Sequence, residues 1–143
     1  MAVTSPVDIV LEKWKRRGIR LFPPEEEATV IATLSKVGRL ISCDVVNLYC
    51  ATGGMEDGEM DSLWSLWSFD RVLSMNSDYE RSYILFADYS IDAYFYCFKY
   101  ESIETSSVHV DYFNGKEPQR VANSVNEFFS LYLTAPERLE MMT

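Results

Sequence analysis

The sequence predicts a single α+β domain: a mainly antiparallel, twisted sheet of about four to six strands, with helices before it and one closing helix packed on it. Three observations predict this. The strand-forming runs cluster between residues 62 and 121 and do not alternate regularly with helices, which argues against a doubly wound parallel sheet. Runs with helical spacing precede and follow that cluster. The 143 residues, 48% of them apolar and 14% aromatic, suit one core that needs no metal or disulfide to hold it. Without internal repeats or Gly/Pro-rich linkers, the domain is expected to be undivided over 1–143.

The first helix opens at Ser5-Pro6-Val7-Asp8: an N-cap serine, a proline at the first helical position and an acid three residues after the cap. Val7, Val10, Leu11 and Trp14 form its inward stripe. Lys15, Arg16 and Arg17 suit the negative end of its dipole, and Gly18 ends it. A second helix is expected from Pro23-Pro24, with Glu25, Glu26 and Glu27 in its first turn, a stripe of Val30, Ile31, Leu34 and Val37, and a stop at Gly38. A third starts near Ser42, faces Val45, Leu48 and Tyr49 inward, and leaves through Gly53-Gly54 at positive φ.

The stretch SLWSLW at 62–67 alternates as a strand does, and Ser68 is placed to cap a short helix carrying Phe69, Val72 and Leu73. YILFA at 83–87 and AYFYCFKY at 93–100 are strongly strand-forming and read as a hairpin through DYSID. At 106–113, Val108, Val110 and Tyr112 alternate with Ser107, His109 and Asp111, and Asn114-Gly115 then turns the chain toward a short edge strand near 117–121. Ser124-x-x-Glu127 is a capping box for a last helix with Val125, Phe128, Phe129 and Tyr132 inward, ended by Pro136.

Thirteen basic and 22 acidic residues give a net charge of −9, which disfavours direct binding to nucleic acid or anionic lipid and suits a basic protein partner. No stretch approaches the roughly 20 apolar residues of a membrane span, and MAVTSPVDIV lacks the pattern of a secretory signal. Cys43, Cys50 and Cys97 are odd in number and widely spaced, so buried reduced thiols in a cytoplasmic protein are expected.

Chemistry-bearing motifs are sparse. The one histidine, His109, lies in mid-strand beside Ser107 and Asp111 and reads as a hydrogen-bonded sheet residue; a triad through Cys97 and an acid is the formal alternative. Zinc spacings and phosphate-binding glycine motifs are absent. In EDGEMD at 56–61, two acids are adjacent and a methionine interrupts the run, so the alternation of a calcium loop is missing. No catalytic residue, cofactor or metal is therefore expected. Glu56, Asp57, Glu59 and Asp61, together with Asp88 and Asp92 of the hairpin, are the candidate partner-binding residues, because they concentrate negative charge on turns expected to be exposed.

The whole pattern resembles the SUKH superfamily, which includes the fungal cell-wall-assembly regulator group and many bacterial immunity proteins. The resemblance rests on the order and spacing of several pieces: Pro23-Pro24, DVVNLY at 44–49 followed by Gly53-Gly54, the strand at 63–67 with its helix from Ser68, LFAD at 85–88, the tyrosine-rich strand, and Ser124-x-x-Glu127-Phe128-Phe129-x-x-Tyr132-Leu133. It spans about residues 20–135. Where the family usually begins its signature helix with Leu-Pro, this chain has Ile41-Ser42. The resemblance implies a domain without catalytic residues that neutralises a cognate toxin, often a nuclease, by binding it in the cytoplasm; the alternative it offers is a non-catalytic adaptor or regulatory domain.

Overall fold

In a computed structural model, which describes residues 5–79, 82–90 and 93–139, three helices come first: α1 (Pro6–Arg16), α2 (Glu27–Ser35) and α3 (Cys43–Ala51). Strand β1 (Trp64–Leu66) and helix α4 (Phe69–Asn76) follow. Strands β2 (Ile84–Tyr89), β3 (Tyr94–Tyr100), β4 (Ser106–Asp111) and β5 (Gln119–Ala122) complete a five-stranded meander in chain order, every neighbouring pair antiparallel. Helix α5 (Val125–Thr134) and a 3₁₀ turn (Pro136–Leu139) close the described chain. Among the described residues no helix is long and apolar enough to cross a membrane.

The predicted caps work locally. Ser5 Oγ accepts from the Asp8 amide, Ser68 Oγ from Arg71 and Ser124 Oγ from Glu127. Glu127 Oε1 accepts from the Asn123 amide at 2.9 Å, one residue before the cap, so its side chain ties down the entry to the helix but not the Ser124 N–H. One predicted helix start, that of α2, needs correction, while α3 starts next to Ser42 as expected. Helix α2 begins at Glu27, not at the prolines, because residues 20–22 run extended against 53–56: Phe22 and Gly53 exchange backbone bonds with Gly54 and Phe22, and Glu25 N–H goes to the Tyr49 carbonyl. Proline at 24 also holds residue 23 out of the helical region. At α3, Ser42 occupies the cap position, but its hydroxyl engages Asp44 and Ser106 instead of capping.

The exit from α3 also differs from expectation. Only Gly54 has positive φ (+93°), and a Cβ there would lie 2.3 Å from the Trp67 carbonyl oxygen. Gly53 is required for proximity instead, since its Cβ would meet the Pro23 carbonyl oxygen at 2.6 Å. The pair lets two extended segments pass backbone to backbone.

One face of the sheet carries Trp64, Phe86, Tyr96 and Phe98 toward α1 and α5. Phe86 and Phe98 stack at 3.9 Å, and Phe128 meets both Phe86 and Tyr96 edge-on. An irregularity in β2 between Leu85 and Ala87 gives Phe86 its place in that core. The other face carries the predicted polar set Ser107, His109 and Asp111, yet β4 is buried on both faces. Helix α4 and the segment after it cover this side: the Asn76 amide bonds both the N–H and the C=O of Leu85, taking ladder positions that β1 is too short to fill. Tyr79 donates to Asp111 at 2.7 Å, and Tyr83 meets His109 edge-on. The three cysteines are free, but only Cys97 is buried; Cys43 is exposed and Cys50 half-buried.

Candidate functional site

The acidic loop at 56–61 does not present four free carboxylates. Asp61 is only 3% exposed. Its carboxylate accepts from Trp14 Nε1 at 3.1 Å, from the Tyr132 hydroxyl and from Arg17 Nη1, with Lys13 Nζ at 4.0 Å. Burial pushes the Asp61 carboxyl up, but the hydrogen bonds from Tyr132, Trp14 and Arg17, with the guanidinium charge, outweigh it and hold the group below its ordinary value of 3.8. Burial and the bond to Asp61 push the Tyr132 phenol well above its ordinary range. Asp61 thus joins the loop to α1 and α5. Glu59 accepts from the backbone N–H and Nε of Arg20, at 2.7 and 3.1 Å, and these bonds hold its pKa down. Glu56 is half-buried, and Asp57 alone of the four is fully on the surface.

The hairpin acids follow the same correction. Asp88 is buried and accepts from Trp67 Nε1 at 3.1 Å and from Arg71 Nη2 at 3.5 Å, while Arg71 lies over the Trp67 ring. Asp92 lies outside the described residues. The expectation that these acids share one exposed surface therefore fails for Asp61 and Asp88, and Glu59 is committed to Arg20. Sequence reading could not separate them, because each partner except Arg71 and Trp67 comes from more than 35 residues away.

The lone imidazole does not pair with the Cys97 thiol. Cys97 lies opposite His109 in the ladder, but its Sγ approaches the His109 carbonyl at 3.7 Å. His109 Nε2 is 2.8 Å from Ser107 Oγ, and that hydroxyl is also 2.6 Å from Glu101 Oε2. The bond from Ser107, with Arg120 and Lys99 nearby, holds the Glu101 carboxyl below its ordinary pKa, so it only accepts. Ser107 therefore has the Glu101 carboxylate and the His109 ring both within reach of its one hydroxyl. Burial lowers the His109 pKa against an opposing contribution from the Pro118 backbone, which keeps the ring neutral at pH 7. Among the described residues, no group of His, Cys, Asp and Glu is placed to hold a metal ion.

The free apolar surface lies elsewhere. A groove of about 360 Å³ runs between α2 and the start of α3, lined by Glu27, Ile31, Arg39, Leu40, Cys43 and Val46 among others. Ile31, predicted to point inward, is 45% exposed, and Leu40 is 70% exposed. Because α2 begins late and is nine residues long, Val30 and Leu34 alone are its buried stripe. The turn carrying Ile103, 68% exposed, abuts the same end of α3, where Cys43 and Asp44 donate to the carbonyls of Ile103 and Glu104. One carboxylate, Glu27, lines the groove; Glu26 holds the N-cap position of α2 without a side-chain bond, and Glu104 follows Ile103 in the chain. Arg39, half-buried, also lines the groove and donates to the Val37 and Tyr79 carbonyls. The available sequence signal was apolar side chains at Leu40 and Ile103 in connections flanked by polar residues.

No family model matches the chain, and no curated protein or solved structure matches it.

Proposed function

We propose that this chain is a non-catalytic binding protein that neutralises a cognate basic toxin by covering it, with the groove between α2 and α3 as the anchoring surface. The observation that carries this reading is the exposed trio Ile31, Leu40 and Ile103, the first two lining a groove between α2 and α3, in a chain of net charge −9. Apolar anchors in a groove govern how long a complex lasts, and a field of opposite sign governs how fast it forms. Asp57 and Glu56, on the loop that follows the opposite end of α3, add to the field of the whole chain. The resemblance to the SUKH superfamily supplies the toxin as the class of partner. The Cys97 thiol, directed at the His109 carbonyl and not at its ring, supports the non-catalytic part.

The test starts with the gene beside this chain's own. Where it encodes a toxin, the toxin's catalytic domain is titrated with this protein and with the double variant Ile31→Asp, Leu40→Asp. Binding that inhibits the toxin, weakened at least ~100-fold in the double variant, supports the reading. Unchanged affinity in a folded variant removes the groove from the interface. A neighbourhood without a toxin gene favours the adaptor role instead.

A further inference from the structure

Helices α2 and α3 form an antiparallel pair. The Glu25 amide, just before α2, donates to the Tyr49 carbonyl near the end of α3, and the connection at 36–42 returns the chain to the start of α3. Each helix has nine residues, so the groove between them is about 13 Å long. Glu27, Ile31 and Ser35 line it as one row of α2, at i, i+4 and i+8, and Cys43, Val46 and Asn47 line it from α3, at i, i+3 and i+4. Two such rows, side by side and uncovered, are ridges against which a third helix packs.

The hydrogen-bonding groups of the walls are already spent. The backbone of α2 and α3 is bonded within each helix, and the Cys43 and Asp44 amides at the start of α3 donate to the Ile103 and Glu104 carbonyls. Ser35 Oγ donates to the Ile31 carbonyl at 2.6 Å, Ser42 Oγ engages Asp44 and Ser106, and Arg39 has its two carbonyls. An extended segment laid here would bring its own N–H and C=O groups to walls that offer no ladder, and burying such groups unpaired is costly. A helix arrives with its backbone bonds made and sets apolar side chains against Ile31, Leu40 and Val46.

Charge narrows the occupant further. Among the described residues Glu27 is the one carboxylate lining the groove; it is exposed, and Glu25 and Glu26 precede it in the chain. The end of the groove at the start of α2 therefore suits a cation, the sign that a chain of net charge −9 also attracts. Resting on the groove as the anchoring surface of the proposed function, we infer that its occupant is a basic amphipathic helix of the partner. Apolar residues at i, i+4 and i+7 of that helix meet Ile31, Leu40 and Val46, and a lysine or arginine lies beside Glu27.

The test uses a peptide of about 14 residues with leucine at those positions and lysine on its flanks, held helical by a lactam staple because a free helix of that length is marginal. Three counterparts isolate its features: one with glutamate for lysine, one unstapled with a central proline, and one with leucine and lysine alternating as in a strand. Binding is read from the methyl signals of Ile31, Leu40 and Val46 in ¹³C-labelled protein. The stapled basic peptide should shift these signals saturably and bind about ten-fold tighter than each counterpart. Glu27→Lys, at an exposed position, should transfer the preference to the glutamate peptide. Equal affinity for the stapled and alternating peptides, a preference for the alternating one, or no saturable shift would overturn the inference. So would methyl shifts that follow protein concentration without peptide, which assign the groove to a second copy. The toxin titration fails separately: a groove that takes the helix in a protein inhibiting no toxin removes the proposed function alone, and a toxin held there by an extended segment removes the helix alone.

Discussion

The acidic loop at 56–61 and the connection at 36–42 both join elements at the surface, and they use their side chains in opposite ways. The loop is rich in charge yet turns Asp61 inward, where an arginine, a tryptophan and a tyrosine from α1 and α5 hold it. The connection contains apolar Leu40 and leaves it 70% exposed. Composition predicts exposure only on average. A carboxylate can be buried where donors converge on it, and a leucine can stay outside where no element arrives to cover it. The loop is therefore largely architecture, and the connection is available for binding.

Changes at Asp61 should have the largest effect on stability. Asp61→Ala strands the Trp14 N–H and the Tyr132 hydroxyl and unpairs Arg17, for an expected loss of about 3–4 kcal/mol in urea unfolding. Retention of wild-type stability would show that the loop is not anchored there. The pH dependence has a definite sign. The folded pKa of Asp61 is depressed below 3.8, so its stabilisation is full above that value and is lost as pH falls through the lower folded value. Acid unfolding below about pH 4 should be shallower in Asp61→Asn, which starts from lower stability.

Gly54→Ala comes next, with a loss on the order of 3 kcal/mol, because the new Cβ collides with backbone at a positive φ. Its thermal unfolding would measure how far the loop depends on the close passage that precedes it. Ile31→Asp with Leu40→Asp should change stability by less than about 0.5 kcal/mol for each exposed site while abolishing tight partner binding. A large stability loss would mean that the groove is part of the core. The smallest effect belongs to Glu56→Ser with Asp57→Ser: unfolding unchanged, and the partner's association rate lowered a few-fold at low salt and hardly at 0.5 M, as expected for a steering charge.

Much of the fold was legible because its signals act over four residues or fewer. Ser5, Ser68 and Ser124 satisfy helix N–H groups wherever the helix goes, and the stripe at Val125, Phe128, Phe129 and Tyr132 is set by 3.6-residue periodicity. The late start of α2 was not legible, since the pairing of 20–22 with 53–56 holds that segment extended. The burial of His109 on the polar face of β4 was also hidden, because the Tyr79 and Tyr83 that cover this face follow an inserted helix.

The sequence by itself determined the α+β class, the helix caps, the hairpin of β2 and β3 and the acidic net charge, all of which follow from local geometry or from counting. The tertiary structure alone decided which acids remain free and that Ile31 and Leu40 face solvent. Those outcomes depend on groups that meet across 44 to 71 residues of chain, as Arg17 and Tyr132 meet Asp61. A side chain's fate there is fixed by the donors, acceptors and apolar faces that folding delivers to it, which no local pattern encodes.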